Sequence, residues 1–167
     1  MNQILDNLEY DSQSGCISFK EVRYILVRPE TIMALLSSLE EELGERAGQF
    51  FYQGGMSGGR LSAQKYKQTL GLSEKGLVEF MISMGTQIGW GRFELVAFDM
   101  EKRMLEINVH NSPYAQAYGP SQRPVCHVIR GVLAGLAQGI FERPVQAGET
   151  GCLATGNNCC RFLVKGV

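Results

Sequence analysis

The sequence predicts an α+β fold in which several helices pack on one antiparallel sheet. Residues 93–98 and 104–109 each alternate side chains with a period of two and flank a polar turn, the signature of a hairpin. Residues 29–43, 73–88 and 124–143 carry apolar side chains at helical spacing. Near the end, two short apolar runs flank the turn-forming stretch Ala154-Thr155-Gly156-Asn157-Asn158, which predicts a closing hairpin.

A chain of 167 residues, 44% hydrophobic and 20% charged, fits one domain over 1–167 that buries a core without disulfides. Its formal net charge of −1, with no basic cluster, argues against direct nucleic-acid binding. No apolar stretch reaches the roughly 18 residues of a membrane span. The start, MNQILDNLEYDS, shows no signal-peptide pattern. Five cysteines, an odd count, fit a reducing compartment better than a secreted disulfide framework. The expected location is the cytoplasm.

The elements follow in order. Residues 15–28, GCISFKEVRYILVR, are rich in β-branched and aromatic side chains and are expected to be extended. Pro29-Glu30-Thr31 opens a helix carrying Ile32, Leu35, Leu36, Leu39 and Leu43, and Gly44 interrupts it. Glu40-Glu41-Glu42 is expected to form a solvated face of that helix. Residues 45–52 resume as helix. The glycine-rich run Gly54-Gly55-Met56-Ser57-Gly58-Gly59 is expected to break it before a further helix over 61–70. That run lacks the Gly-Lys-Ser/Thr ending of a phosphate loop. Ser73 caps the next helix, which Gly89 ends. Residues 111–123 are expected to form a loop before the long helix over 124–143. Gly131, Gly135 and Gly139 recur every fourth residue there, so something must approach that face closely. Core packing is the favoured explanation and a subunit interface the runner-up.

Chemistry concentrates in the last third. Cys126, Glu149-x-x-Cys152 and Cys160 offer three thiols and a carboxylate, the number and type of donors a structural zinc site requires. The paired C-x-x-C motifs of common zinc modules are absent, and buried thiols acting as small hydrophobes are the alternative. Cys16 and Cys159 fit that alternative best. A loop centred on Gly156 would bring Cys152 and Cys160 opposite each other. Glu149 lies an odd number of residues before Cys152, so a regular strand would turn it to the other face. Gly148 and Gly151 offer the freedom to bring it back. Cys126 follows Pro124, as suits the first turn of a helix. The charge of such a set calls for Arg161, Arg143 or backbone amides close by. His127 is either a surface residue or a support beside Cys126, and two histidines build no catalytic triad.

The segment PVCHVIRGVLAGLAQGIFERPVQAGETGCLATGNNCCRF resembles the carboxy-terminal signature of the 4-vinyl-reductase domain family. A cysteine at the start of a long helix, a strand leading to Glu-x-x-Cys and a later cysteine before a closing strand are all present, and the likeness is close over 120–166. The resemblance implies a fold shared with vesicle-tethering complex subunits. It also implies Zn²⁺ held by Cys126, Glu149, Cys152 and Cys160. The family includes sensor domains of phenol- and xylene-responsive activators and a protein associated with bacteriochlorophyll synthesis. Those sensors continue into an ATPase and a DNA-binding domain. This sequence ends at Val167, so it is not expected to be the activator itself. The phenol sensors also carry a tryptophan where Val109 aligns, so phenol is expected to bind poorly.

The resulting expectation is a non-enzymatic, zinc-stabilised module for a small hydrophobic ligand: an aromatic, an acyl chain or a tetrapyrrole. Phe50, Phe51, Tyr52, Met81, Met84, Trp90 and Phe93 are its expected pocket walls. A homodimer is expected because the family's domains commonly pair. The alternative is an assembly or accessory factor acting through a protein partner, in tetrapyrrole metabolism or photosystem assembly. A vinyl reductase is the weakest reading, since no nicotinamide-binding fingerprint accompanies it.

Overall fold

The computed structural model describes residues 4–167 and has the expected α+β architecture. Three short antiparallel strands come first: β1 (Glu9–Asp11), β2 (Cys16–Phe19) and β3 (Val22–Tyr24). The stretch expected to be extended is therefore a hairpin. Its two-residue turn is Lys20-Glu21, both at positive φ (49° and 63°). Such a turn matches strand twist but is usually built with Asn or Gly, so the sequence hides it.

Helix α1 (Pro29–Leu43) ends at Gly44, whose φ of 58° the absent Cβ permits. The solvated acidic face holds for Glu41 and Glu42, whereas Glu40 accepts a 2.6 Å hydrogen bond from the Tyr118 hydroxyl. Helix α2 then runs unbroken from Ala47 to Leu70. The glycine run at 54–59 lies in its middle, so the expected break does not occur. The reason is helix α5 (His127–Phe141), which crosses α2 backbone to backbone. A Cβ on Gly55 or Gly59 would lie 2.4 or 2.3 Å from the carbonyl oxygens of Val128 and Val132. From the other side, a Cβ on Gly131 or Gly135 would lie 2.1 Å from the carbonyls of Tyr52 and Met56. A pair of glycines on each helix interlocks with a pair on the other, and tertiary packing overrides the weak local propensity. The glycine stripe of α5 thus serves packing within the chain, as favoured.

Helix α3 (Glu74–Gln87) starts at Ser73, whose hydroxyl accepts from the Gly76 amide at 3.2 Å. The main sheet has the order β4-β5-β7-β6 and is antiparallel throughout. Its strands are β4 (Arg92–Asp99), β5 (Met104–His110), β6 (Val145–Gly151) and β7 (Cys160–Gly166). Leu105, Ile107 and Val109 of β5 and Phe162 and Val164 of β7 are fully buried on alternate positions, as a one-faced sheet requires. Between β5 and α5, part of the expected loop forms a short helix, α4 (Pro113–Tyr118), capped by the buried Ser112. Helix α5 is shorter than the sequence suggests. Pro124 precedes it, and Glu142 leaves it in a left-handed conformation. Among the described residues no helix is long and apolar enough to cross a membrane.

Candidate metal cluster and apolar cavity

The ligand atoms of Cys126, Glu149, Cys152 and Cys160 all lie within 4.8 Å of one another. Four separate pieces of backbone achieve this. Cys126 occupies the N-cap position of α5, with φ −82° and ψ 46°. Glu149 sits on β6, and a register shift between Glu149 and Gly151 gives the strand one extra residue. That bulge at Thr150 returns Glu149 to the face of Cys152, which an unbroken alternation would forbid. Cys152 leads into a single turn of 3-10 helix over Leu153–Thr155, and Cys160 opens β7 opposite Val109. The three cluster cysteines are completely buried.

The five cysteines are free thiols. Within the cluster the Cys126 and Cys160 sulfurs are 3.5 Å apart and those of Cys160 and Cys152 are 3.9 Å apart. The Cys126 amide donates to Glu149 Oε2 at 3.0 Å, and the Leu153 amide donates to Cys160 Sγ at 3.4 Å. The buried Ser112 hydroxyl lies 3.3 Å from Cys126 Sγ. Backbone amides therefore supply the positive ends expected near the set. Arg161 is exposed and turned to Asn157 at 2.9 Å, and Arg143 is exposed too.

Electrostatically the cluster is frustrated. Hydrogen bonds from the Cys126 and Cys160 thiols hold the Cys152 thiol far below its usual range. Cys126 is driven upward by its bonds to Cys152 and Cys160 and by burial. Cys160, balanced between the same two neighbours and also buried, rises to about 12. Burial, followed by the charge on Cys152, lifts Glu149 to about 8. Glu149 Oε1 is buried without a hydrogen-bond partner. A cation at the centre would meet that orphaned oxygen and relieve the crowded negative charge, so the four residues can hold a metal.

His127, next to Cys126, is not the surface histidine that its helix position suggests. It is partly buried, and a Cβ on Gly48 would fall 2.6 Å from its ring. Burial, then the neighbouring Arg130 charge, presses its pKa down to about 4, so the ring is neutral at pH 7.

A second feature lies between α2, α3, α5 and the start of β4. It is an apolar cavity of about 180 Å³, and Met81, Met84, Trp90 and Phe93 are among its walls. Phe50, Phe51 and Tyr52 stand apart from these. Phe50 is 57% exposed, Phe51 packs half-buried on the core, and Tyr52 lies under the Arg130 guanidinium at 4.8 Å from its ring centre. The continuity of α2 accounts for the separation. At 1.5 Å per residue the turn holding 50–52 stands about 10 Å along the axis from Gly58, where α2 joins the wall. The glycine run is part of a helical wall and not an entrance loop. Sequence reasoning also misses Val132, Leu133 and Leu136 of α5, whose helical stripe reads as core, and Tyr24 of β3. Nothing local in the sequence marks Tyr24.

Helices layered on an antiparallel sheet, with a Cys₃Glu cluster pinning the long helix to the last hairpin, define the class. Residues 105–166 match the 4-vinyl-reductase domain, and the chain carries that domain there. The phenol regulator MopR of Acinetobacter guillouiae is 27% identical over 177 residues, covering 99% of this chain and 31% of the relative. The chain thus spans less than half the length of the curated relatives it matches, 31% and 44%. The phenol-responsive sensory domain of the transcription activator PoxR, solved with phenol, superposes with a TM-score of 0.85. Its identity is 25%, covering 98% of this chain and 86% of that one. A trafficking protein particle complex subunit 3 from Naegleria fowleri shares the fold, with a TM-score of 0.60 and 13% identity over 83% of this chain and 95% of that one.

Proposed function

We propose that the chain is a non-catalytic binding module for a small hydrophobic molecule the size of one aromatic ring, held rigid by a zinc clip. The cavity of about 180 Å³ carries the proposal. An apolar cavity of roughly 150 Å³ stays dry and accepts benzene, so this volume suits a single ring and is too small for a tetrapyrrole. The phenol-responsive relatives support the same size class. For the metal, zinc–sulfur bonds of about 2.3 Å at tetrahedral angles keep sulfurs roughly 3.8 Å apart. The spacings of 3.5 and 3.9 Å bracket that value. Cys126, Glu149, Cys152 and Cys160 would be the ligands, with no position left for catalysis.

Trp90 is the single tryptophan of the chain and a wall of the cavity, so its emission reports occupancy. Titration with ethylbenzene is expected to shift that emission saturably while zinc content stays constant. A linear, unsaturable response up to the solubility limit would end the binding proposal.

Zinc uptake is expected to release protons. At pH 7 the metal-free cluster carries its charge on Cys152, whereas Cys126, Cys160 and Glu149 hold protons. Loading should therefore liberate about three, read as the buffer dependence of the calorimetric enthalpy. Glu149→Gln should lower the release by about one. Unchanged release in that variant would remove Glu149 from the site.

A second reading, recruitment of a protein partner or another copy, draws on the exposed apolar run Ile25-Leu26-Val27, 74%, 83% and 46% accessible. Sedimentation of the purified chain tests it, and a monomer at high concentration would dismiss self-pairing.

A further inference from the structure

The cavity has one feature that shape alone does not explain. Tyr24, carried on β3, lines it, and its hydroxyl is hydrogen-bonded to that of Tyr66, a fully buried residue of α2. Burial first, and then their mutual contact for Tyr66, keeps the Tyr66 phenol far above its ordinary range; burial also raises Tyr24. Both are neutral hydroxyls. Two hydroxyls carry two hydrogens, and the bond between them consumes one. If Tyr66 donates to Tyr24, the remaining hydrogen of Tyr24 reaches the Met84 sulfur at 3.6 Å, a weak acceptor. Met84 is itself a wall of the cavity. A poorly used O–H donor thus stands at the margin of an otherwise apolar space.

Resting on the ligand-binding reading of this cavity, we infer that Tyr24 is its specificity-determining residue. The inferred ligand class is a neutral single-ring molecule bearing an acceptor oxygen. The requirement is an acceptor because what remains unused on the protein is a hydrogen. A lone pair left idle costs little, whereas a buried donor without a good acceptor costs as much as a lost hydrogen bond. The oxygen must be neutral, because no cationic side chain lines the cavity and an unpaired carboxylate would be buried at high cost. Val109, the position aligned with the sensors' tryptophan, is not among the walls, so its lack of a donor does not decide which ring enters. Tyr66 acts behind Tyr24. By occupying one lone pair of the Tyr24 hydroxyl, it turns the hydrogen toward Met84 and the cavity.

Anisole and ethylbenzene make the test, since they share shape and differ by an ether oxygen in place of a methylene. The readout is Trp90 emission of the zinc-loaded chain. Anisole is expected to bind about three- to tenfold more tightly than ethylbenzene, the worth of one net neutral hydrogen bond. Tyr24→Phe should abolish that preference while ethylbenzene affinity stays within about twofold, and Tyr66→Phe should retain most of it. Equal binding of both rings to the native chain would overturn the inference while leaving the binding module intact. So would a preference that survives Tyr24→Phe. Binding of neither ring would instead defeat the module itself.

Discussion

Replacing Cys152 with serine is expected to lower the unfolding free energy by about 3–5 kcal/mol and to make the remaining stability insensitive to chelators. The size follows from position. Cys152 is fully buried, and its partners come from the start of α5, from β6 and from β7. A metal there ties elements distant in sequence, so losing it loosens the packing of the long helix on the last hairpin. A hydroxyl is a poor zinc ligand, and the two remaining thiols and Glu149 would be left buried without their counter-charge. For a chain of this length the melting temperature should fall by roughly 10 °C. Cys16→Ser should lie within about 0.5 kcal/mol of the native chain, because that thiol is half-exposed and meets only the Ser14 carbonyl, at 3.8 Å. Cys159→Ser should be mild for the same kind of reason. Thermal unfolding with and without chelator, alongside elemental analysis, checks all three. A Cys152→Ser protein that keeps its metal and its melting point would remove the zinc clip. Equal damage from Cys159→Ser and Cys160→Ser would contradict the register that pairs Cys160 with Val109.

What the sequence disclosed, and what it hid, divides along the range of the interactions involved. The β4–β5 and β6–β7 hairpins are legible because a period of two and a polar turn are local signals. The metal cluster is legible because its donors are chemically unusual together, although the parity of Glu149 and Cys152 argues against a shared face. The glycines at 148 and 151 warn of irregularity, and the structure resolves it with the extra residue at Thr150. Helix α4 is signed by Ser112-Pro113, an N-cap followed by proline, but six residues are too few to show a period. The Lys20-Glu21 turn is not readable, since both residues adopt positive φ without glycine. Tyr24 and Tyr66 meet across 42 positions, and no spacing rule connects them. The same limit explains the cavity walls. Met81, Met84, Trp90 and Phe93 lie close in sequence and group together, whereas the α5 face arrives from far along the chain.

Gly135→Ala is expected to cost about 3 kcal/mol or more and to prevent a well-packed fold, while Gly54→Ala should stabilise the chain by about 1 kcal/mol. The contrast isolates the helix crossing. At Gly135 the added methyl would sit 2.1 Å from the Met56 carbonyl oxygen and 2.6 Å from the Arg60 amide nitrogen. Both are main-chain atoms inside a helix, so no rotamer change can relieve the contact. Helices α2 and α5 would have to separate along the whole interface that Gly55, Gly59, Gly131 and Gly135 create. Because α5 also begins at Cys126 and walls the cavity, the displacement should reach both the cluster and the ligand space. Gly54 sits in the same α2 run but has nothing within 4 Å of the added atom. There alanine brings only its higher helix propensity. Had the run at 54–59 been a loop with special backbone angles, Gly54→Ala would instead be strained and harmful. Denaturant unfolding of the two variants therefore decides between a helix break and a helix crossing. A destabilised Gly54→Ala beside a tolerated Gly135→Ala would reverse the assignment.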